Sequence, residues 1–282
     1  MRRLKNGRAA WCEGPPSRRT SAVALAALAV VSLAGPSSAA FEVVWPDAVS
    51  AAMLERGDLA SRMLAVDASD AVRVSFSGGE LYGVREAAGG SVAVTGAPAG
   101  IPVGVSATTL GGDLYRERTL AACVAWSPDE HTGLALVLRS AGVGASGVED
   151  RWAVSIDAGF RRVFLGRLVA SACGVNLTDS AIGGSPLASR TTLRLALELD
   201  SATLACSVMA ESGFAPNVTT GVEVRMSEWL LVRAGAGHEP GRLGVGLGLG
   251  REGSGWWPMV DVAWQWHPRL GVSSFVSATF RI

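Results

Sequence analysis

Six charged residues in the second half of the sequence have the types and the spacing needed for ion pairing. They occupy alternate positions in short segments whose intervening residues are apolar, so each lies on the polar face of an extended strand: Arg194, Glu198, Glu223, Arg225, Arg233 and Asp261. Glu198, Glu223, Arg225 and Arg233 lie on adjacent predicted strands and include both signs, so we predict that these four pair across an enclosed space. Such a cluster could be a polar constriction that selects solutes, or a salt-bridged interior that only fills space. The pattern favours the second interpretation.

No residue pattern indicates catalysis, a metal or a cofactor. The three histidines fall at predicted strand ends or turns, and none has a metal-ligand spacing. The three cysteines beyond residue 40 lie on separate predicted strands, without a disulfide or metal pattern. The Gly-x-Gly repeats between Gly241 and Gly248 have a strict spacing of two and no following helix, so they are not a dinucleotide motif. We interpret them as inward glycines that leave room for a neighbouring side chain or a plug, and we expect no enzyme.

The segments that carry the charges alternate between apolar and polar residues from about residue 71 onward. In the clearest one, Leu193, Leu195 and Leu197 oppose Arg194 and Glu198. We count about 14 such segments of about 9–11 residues, the length that a tilted strand needs to cross hydrocarbon. A soluble β-sandwich is the competing fold, but nearly every strand has an apolar face and no second apolar layer would receive it.

We therefore predict an all-β fold, an antiparallel transmembrane β-barrel of about 14 strands, in which closure leaves no edge unpaired in lipid. A short N-terminal helical segment is predicted near residues 47–55, where Asp47 is a candidate N-cap. The composition agrees, because a chain that is 49% hydrophobic with 35 glycines suits neither disorder nor a helical bundle.

Aromatic residues and the last stretch of the chain also favour a membrane barrel. Tryptophans fall near predicted strand ends, where the two membrane interfaces would lie: Trp126, Trp152, Trp229, Trp256, Trp264 and Trp266. The final strand alternates up to the last residue, and we predict that it closes the barrel through the face that carries Val276, Phe280 and Ile282.

The N-terminal region has the features of an export signal. Residues 1–40 combine a basic front, a short apolar core and small residues before Phe41, which predicts a cleaved signal peptide. We assign residues 41–70 to a periplasmic or plug segment and residues 71–282 to the barrel. Acids outnumber bases beyond residue 40, so nucleic acid is not an expected partner. The predicted location is the outer membrane of a Gram-negative-type cell, and the expected partners are outer-membrane lipid and the barrel assembly machinery.

Several runs in the last third of the chain carry a resemblance to a known family. They are Gly221–Val224, Leu230–Gly235, Leu243–Gly248, Val260–Trp264, His267–Ser273 and Val276–Arg281, with weaker upstream matches at Gly112–Glu117 and Cys173–Asn176. These runs resemble the PorV/PorQ-type outer-membrane proteins, which belong with the FadL-like barrels. The chain departs from the family in lacking its Asn-Pro-Ala element after an N-terminal helix, and in ending on Ile282 where an aromatic residue is usual.

The resemblance implies a FadL-like barrel of fourteen strands and two functions. The first is passive transport or binding of small, hydrophobic solutes. The alternative is an accessory barrel of a protein secretion or surface-attachment system. The expected partner is accordingly a hydrophobic small molecule or secretion-system proteins.

Overall fold

The computed structural model describes residues 52–53, 59–64, 72–238, 241–250 and 258–282, and almost all of them form one closed antiparallel β-barrel of fourteen strands. The predicted fold class is confirmed. Consecutive strands of the barrel are paired, with β7 pairing with β10 past the separate β8–β9 hairpin, and β16 pairs with β1 to close the barrel. The strands are β1 Arg73–Leu81, β2 Val84–Gly96, β3 Val103–Gly111, β4 Tyr115–Asp129, β5 Thr132–Ala145, β6 Val148–Phe164, β7 Leu168–Val175, β8 Ala181–Ile182, β9 Ser185–Pro186, β10 Arg190–Glu198, β11 Ala202–Glu211, β12 Asn217–Arg225, β13 Leu230–Gly237, β14 Arg242–Leu249, β15 Met259–His267 and β16 Gly271–Arg281.

Two short helical pieces accompany the strands. Helix α1 is Leu59–Met63, and a 3-10 turn, Pro98–Gly100, joins β2 to β3. Most of the helix predicted over residues 47–55 lies outside the described residues, and α1 begins downstream of it. None of the helices among the described residues has the length and apolar composition needed to cross a membrane.

The barrel has two rims. The start of β1 and the end of β16 meet at one of them, which we call the terminal rim. The end of β1 and the start of β16 meet at the other, the loop rim. The longest connection in the fully described part of the chain, residues 176–189, joins β7 to β10 at the loop rim and contains the small hairpin β8–β9.

Side chains alternate between the two faces of the wall, except near the register shifts at Leu81, Asp129 and Ala145. On β5, Leu136 is 54% exposed on the outer face, whereas its neighbour Val137 is fully buried on the inner face. The same alternation runs through the other strands, with most leucine, valine and aromatic side chains outside and mainly small or polar ones inside. Since a strand repeats every two residues, the apolar outer surface is a direct result of the sequence pattern.

The outer apolar surface has the height of a membrane. On β4–β6, Trp126 and Phe160 belong to a row near the terminal rim, and Trp152 lies nearer the loop rim with its indole over Gly142. The stretch from Arg118 to Trp126 rises about 20 Å along the barrel axis, given about 3.4 Å per residue and a strand tilt of about 40°. An apolar band of about 25 Å is typical of membrane barrels.

The closing seam joins β1 to β16 over its whole length. The predicted closing residues all lie there: Val276 is opposite Gly78, Phe280 is opposite Val74, and the Ile282 N–H donates to the Val72 carbonyl at 2.8 Å. Phe280 also packs edge-on against Phe76 on the outer face, with ring centroids 6.2 Å apart.

One strand boundary differs from the sequence pattern. The pattern of residues 81–95, which Gly89 and Gly90 interrupt, allows one strand or two, but Leu81 ends β1 and a two-residue turn at Tyr82 and Gly83 precedes β2. Both turn residues have positive φ, 55° and 68°, as hairpin turns of this length require. Leu165 and Gly166 form an equivalent turn with φ of 52° and 69°. Tyrosine and leucine are uncommon at such positions, so neither turn carries the usual Asn-Gly or Asp-Gly signal.

Candidate functional site

The barrel interior is the candidate functional site, and a short N-terminal segment lies inside it. We call residues 52–53 and 59–64 the inner segment. Its Leu59, Ala60, Met63 and Leu64 are buried and pack in one cluster with inward-facing side chains of β4, β5 and β7. Those wall residues are Cys123, Ala125, Ala135, Val137, Cys173 and Val175. The contact is therefore apolar and involves side chains on one side of the lumen.

Glycines in the wall make room for α1 and the residue after it. A Cβ atom added at Gly159 would lie 3.0 Å from Leu64 Cδ1 and 3.2 Å from Ala60 Cβ. A Cβ at Gly104 would lie 2.7 Å from Met63 Sδ. Any larger residue at these inward positions would push the inner segment towards the barrel axis.

A second group of glycines receives Ala52 and Met53 on β12–β14. Gly221 and Gly235 are opposite each other in the register, and a Cβ at Gly235 would lie 2.8 Å from the Met53 carbonyl carbon and 2.9 Å from the Ala52 oxygen. A Cβ at Gly246 would lie 2.5 Å from Ala52 Cβ. We call Gly221, Gly235 and Gly246 the glycine seat. Here backbone, not only side chains, approaches the wall.

Three of the predicted charged residues form one buried network close to the terminal rim. Arg233 Nε donates to Glu223 Oε2 at 2.5 Å, and Arg233 Nη1 donates to Asp261 Oδ1 at 2.5 Å. Gly248 lies between β13 and β15 at this level, where a Cβ would come 2.6 Å from Asp261 Oδ1 and 2.9 Å from Arg233 Nη1. Both alternatives for the inward glycines therefore occur: Gly246 makes room for the inner segment, and Gly248 for an ion pair.

The other three predicted residues lie on β10 and at the end of β12. Glu198 on β10 is 3.9 Å from Arg161 on β6, and Arg194 is on the same inward face of β10. Arg225 is exposed at the terminal-rim end of β12. Four of the six residues therefore lie on β12, β13 and β15 towards the terminal rim and two lie on β10, and the ion pairs described above run along the wall. Neighbouring inward positions are about 5 Å apart, whereas opposite walls of a fourteen-strand barrel exceed the reach of two side chains.

The sequence reading missed a second buried ion pair. Arg139 on β5 bonds to Asp157 on β6, and both side chains are almost fully buried. The Asn176 N–H donates to Asp157 Oδ1 at 2.8 Å, which ties the start of the 176–189 connection to this pair. Both charges were visible on the polar faces of their strands. Only the register, which brings Val137 opposite Asp157, makes them neighbours.

The 176–189 connection folds into the loop rim. Ile182 and Leu187 are buried against Ala141, an inward residue of β5. The Asn176 side chain closes the connection on itself, because its Nδ2 donates to the Leu187 carbonyl at 3.0 Å and its Oδ1 accepts from the Ser180 N–H at 2.9 Å. One sector of the loop rim is therefore covered by ordered chain.

The described tryptophans lie on the outer surface near both rims. Trp126 and Trp229 are near the terminal rim, and Trp152, Trp264 and Trp266 are on the loop-rim side, all roughly half exposed. Trp256 lies outside the described residues.

The part of the chain that the structure describes contains no cluster of metal-ligand residues and no disulfide. There, no three His, Cys, Asp or Glu residues come close enough to hold a metal ion. Cys123 and Cys173 are buried and form no disulfide with a described residue, and Cys206 is exposed on the outer face of β11. His267 accepts hydrogen bonds from the backbone N–H groups of Arg269 and Leu270, a role in the β15–β16 turn.

The barrel is similar to solved structures of outer-membrane channels. The P. putida toluene transporter TodX matches with a TM-score of 0.56 and 9% identity, over 86% of this chain and 99% of that one. The CymD monoaromatic hydrocarbon channel gives 0.55 and 12%, over 86% and 99%. A Pseudomonas aeruginosa FadL homologue gives 0.51 and 11%, over 86% and 100%.

The sequence itself gives no such match. No protein-family model matches it, and neither does any curated protein. At these identities the structural likeness establishes a FadL-like barrel fold, as the resemblance implied. It does not bear on the PorV/PorQ assignment.

Proposed function

We propose that the chain is a passive outer-membrane channel for small solutes, including hydrophobic ones. The observation that carries the proposal is the combination of an apolar outer belt with a lumen that holds a seated inner segment. The apolar outer surface suits a barrel in a bilayer. An inner segment held by apolar contacts can shift and let solutes pass. The fold likeness to TodX and CymD, which are described as a toluene transporter and a monoaromatic hydrocarbon channel, supports passage.

Hydrophobic solutes are favoured by the apolar side chains of the interior. Met63 and Val137 belong to one inner apolar cluster, and Phe275 with Ala263 belongs to another that also contacts Ala52. A solute passing the inner segment would meet these surfaces. The signal peptide, the outer-membrane location and the PorV/PorQ relationship belong to the same proposal. No observation on the described residues favours the accessory-barrel alternative.

The test is uptake by a Gram-negative host that expresses the chain. A radiolabelled monoaromatic hydrocarbon is supplied at limiting concentration, and its rate of uptake is compared with that of a host carrying the empty vector. We expect faster uptake when the barrel is present in the outer membrane, as judged by heat-modifiable migration in gels. The proposal would be falsified if the expressing host and the empty-vector host took up toluene at the same rate and small sugars at the same rate, with the barrel folded in the membrane.

A further inference from the structure

Side chains with hydroxyl groups line one side of the lumen. Two neighbouring rows of inward positions cross the strands β16, β1, β2, β3 and β4, which are consecutive around the barrel. The first row is Ser277, Ser77, Ser91, Thr108 and Thr119, and the second is Thr279, Ser75, Ala93, Ser106 and Ala121. We call the eight hydroxyl-bearing residues of these rows the hydroxyl track. None of the ten side chains in the two rows is ionisable, so this part of the wall suits polar solutes without charge.

The first row climbs the wall and does not form a level ring. Ser277 is four residues from Arg281 at the terminal-rim end of β16, whereas Thr119 is four residues from Tyr115 at the loop-rim end of β4. With strands about 4.8 Å apart and tilted by about 40°, the row rises about 12 Å along the barrel axis. The hydroxyl track therefore follows the direction in which a solute would travel.

The central hydroxyls of the track are available for hydrogen bonding. Five of them belong to partly exposed residues, namely Ser75, Ser77, Ser91, Ser106 and Thr108. The hydroxyl oxygens of Ser77 and Ser91 are 2.7 Å apart, and one of these two groups donates to the other. One O–H and several lone pairs of that pair therefore remain free to bond elsewhere. The hydroxyls of Ser106 and Thr108 have no hydrogen-bond partner among the described residues.

The second row continues to two buried polar atoms. Ala121 is opposite Arg139 on β5, and Arg139 is opposite Ser155 on β6. Ser155 is 2% exposed, and in the described part of the chain neither its Oγ nor Arg139 Nε has a hydrogen-bond partner. Buried polar groups are almost always paired, so two such atoms in one row of the inner face indicate a place for a further oxygen atom. A hydroxyl oxygen fits this place, because it can accept from Arg139 Nε–H and bond to the Ser155 hydroxyl as donor or acceptor.

We propose that the hydroxyl track is a path for small neutral polyols through the barrel, a solute class separate from the hydrophobic one. The proposal rests on the proposed function, because it requires that solutes enter the lumen. A hydroxyl group donates, accepts and rotates, so each track residue can replace a water molecule at a solute hydroxyl. Neighbouring strands are about 4.8 Å apart, so a solute with several hydroxyls can move from one track residue to the next. Contacts that are numerous and individually weak allow a solute both to enter and to leave.

The test is the swelling of liposomes that contain the purified barrel, with arabitol as the permeating solute. We expect faster swelling than in protein-free liposomes. The triple variant Ser77→Ala/Ser91→Ala/Thr108→Val removes three hydroxyls of the first row, so it should slow arabitol entry several-fold, whereas toluene uptake by an expressing host should not fall. The matched control is Thr109→Val, the next residue of β3, whose exposed side chain lies on the outer face. This control should leave both rates unchanged.

The possible outcomes separate the two proposals. Toluene uptake without arabitol entry overturns the polyol path and leaves passage of hydrophobic solutes intact. Arabitol entry that is equal in the triple variant and the unaltered barrel, or that Thr109→Val slows as much as the triple variant does, also overturns the polyol path. Folded barrels that pass neither solute overturn both proposals. If the triple variant does not migrate as a folded barrel, Thr108→Val alone against Thr109→Val provides the same comparison.

Discussion

At the scale of single residues, Arg233 is the charged side chain on which the interior near the terminal rim depends. It is 4% exposed and bridges Glu223 on the neighbouring strand and Asp261 two strands away. The sequence identified all three residues and grouped Arg233 with Glu223, but it did not show the contact with Asp261, which passes over Gly248 and depends on the register of three strands. Composition and alternation along one strand contain no information of that kind.

Replacing Arg233 by methionine should strongly destabilise the barrel. The change leaves Asp261 buried and Glu223 partly buried, with no cation between them, and loss of one partner of a buried ion pair costs about 3–5 kcal/mol. The free energy of unfolding can be measured by urea titration in lipid vesicles, followed by tryptophan fluorescence. Arg116→Met is the control, because its exposed pair with Asp113 contributes about 0–1 kcal/mol. A loss for Arg233→Met no larger than the control would contradict the network's role.

At the scale of elements, the β-strands were predictable and their contacts with the inner segment were not. Alternation is a local signal, and it gave fourteen strands and the faces of residues such as Arg194 and Asp261 correctly. The seat for Ala52 and Met53 depends on Gly221, Gly235 and Gly246, which come from three different strands. Their grouping appears only after the strands pair, so the sequence showed the glycines without showing what they receive.

Enlarging Gly235 should dislodge the inner segment. In Gly235→Val the new side chain would meet the backbone of Ala52 and Met53, which cannot rotate away as a flexible side chain can. A cysteine that replaces Met53 should then react with a water-soluble thiol reagent at least about tenfold faster than it does with Gly235 in place. A tenfold change corresponds to about 1.4 kcal/mol in the equilibrium between the seated and the displaced inner segment. The matched variant is Ala234→Val, one position along β13 on the outer face. Equal labelling rates in the two variants would show that Gly235 does not hold the segment.

Fluorophores on the two faces of β11 should report lipid on the outer face and the barrel interior on the inner face. Cys206 is exposed on the outer face, and Ser207 is buried on the inner face, where its hydroxyl is 2.6 Å from the Thr219 hydroxyl. An environment-sensitive fluorophore on Cys206 should be quenched by brominated lipids in vesicles. The same fluorophore on a cysteine at Ser207, in a Cys206→Ser background, should be quenched several-fold less. Similar quenching at both positions would be incompatible with a lipid-facing Cys206.

At the scale of the whole molecule, the outer surface decides where the barrel can exist. Exposed apolar side chains cover it between the tryptophans near the two rims, as on the faces that carry Leu136 and Val245. A soluble protein seldom exposes a contiguous apolar surface of this extent. The sequence could establish the apolar outer surface because every strand contributes to it. An error of a few residues in one strand boundary, such as the one at Leu81, does not change this conclusion.

Residues 41–282 should require detergent or lipid to remain dispersed as a folded monomer. Contact between water and the apolar outer surface is unfavourable, so the protein should aggregate when the detergent is removed. Analytical ultracentrifugation across a detergent series measures this, with heat-modifiable migration as the check on folding. A compact monomer in plain buffer, with its tryptophans shielded from aqueous quenchers, would contradict the membrane assignment and everything proposed about transport.

The seam between β1 and β16 constrains how the chain can mature. Residues such as Ser75 and Thr279 are 204 positions apart, yet their hydroxyls are 3.2 Å from each other. Every other strand pair can form as a hairpin or between close neighbours, while this one must wait until β16 has been synthesised. A ribosome that stalls before Gly271 therefore releases a product with two unsealed strand edges, prone to joining other chains and unable to enter a bilayer on its own.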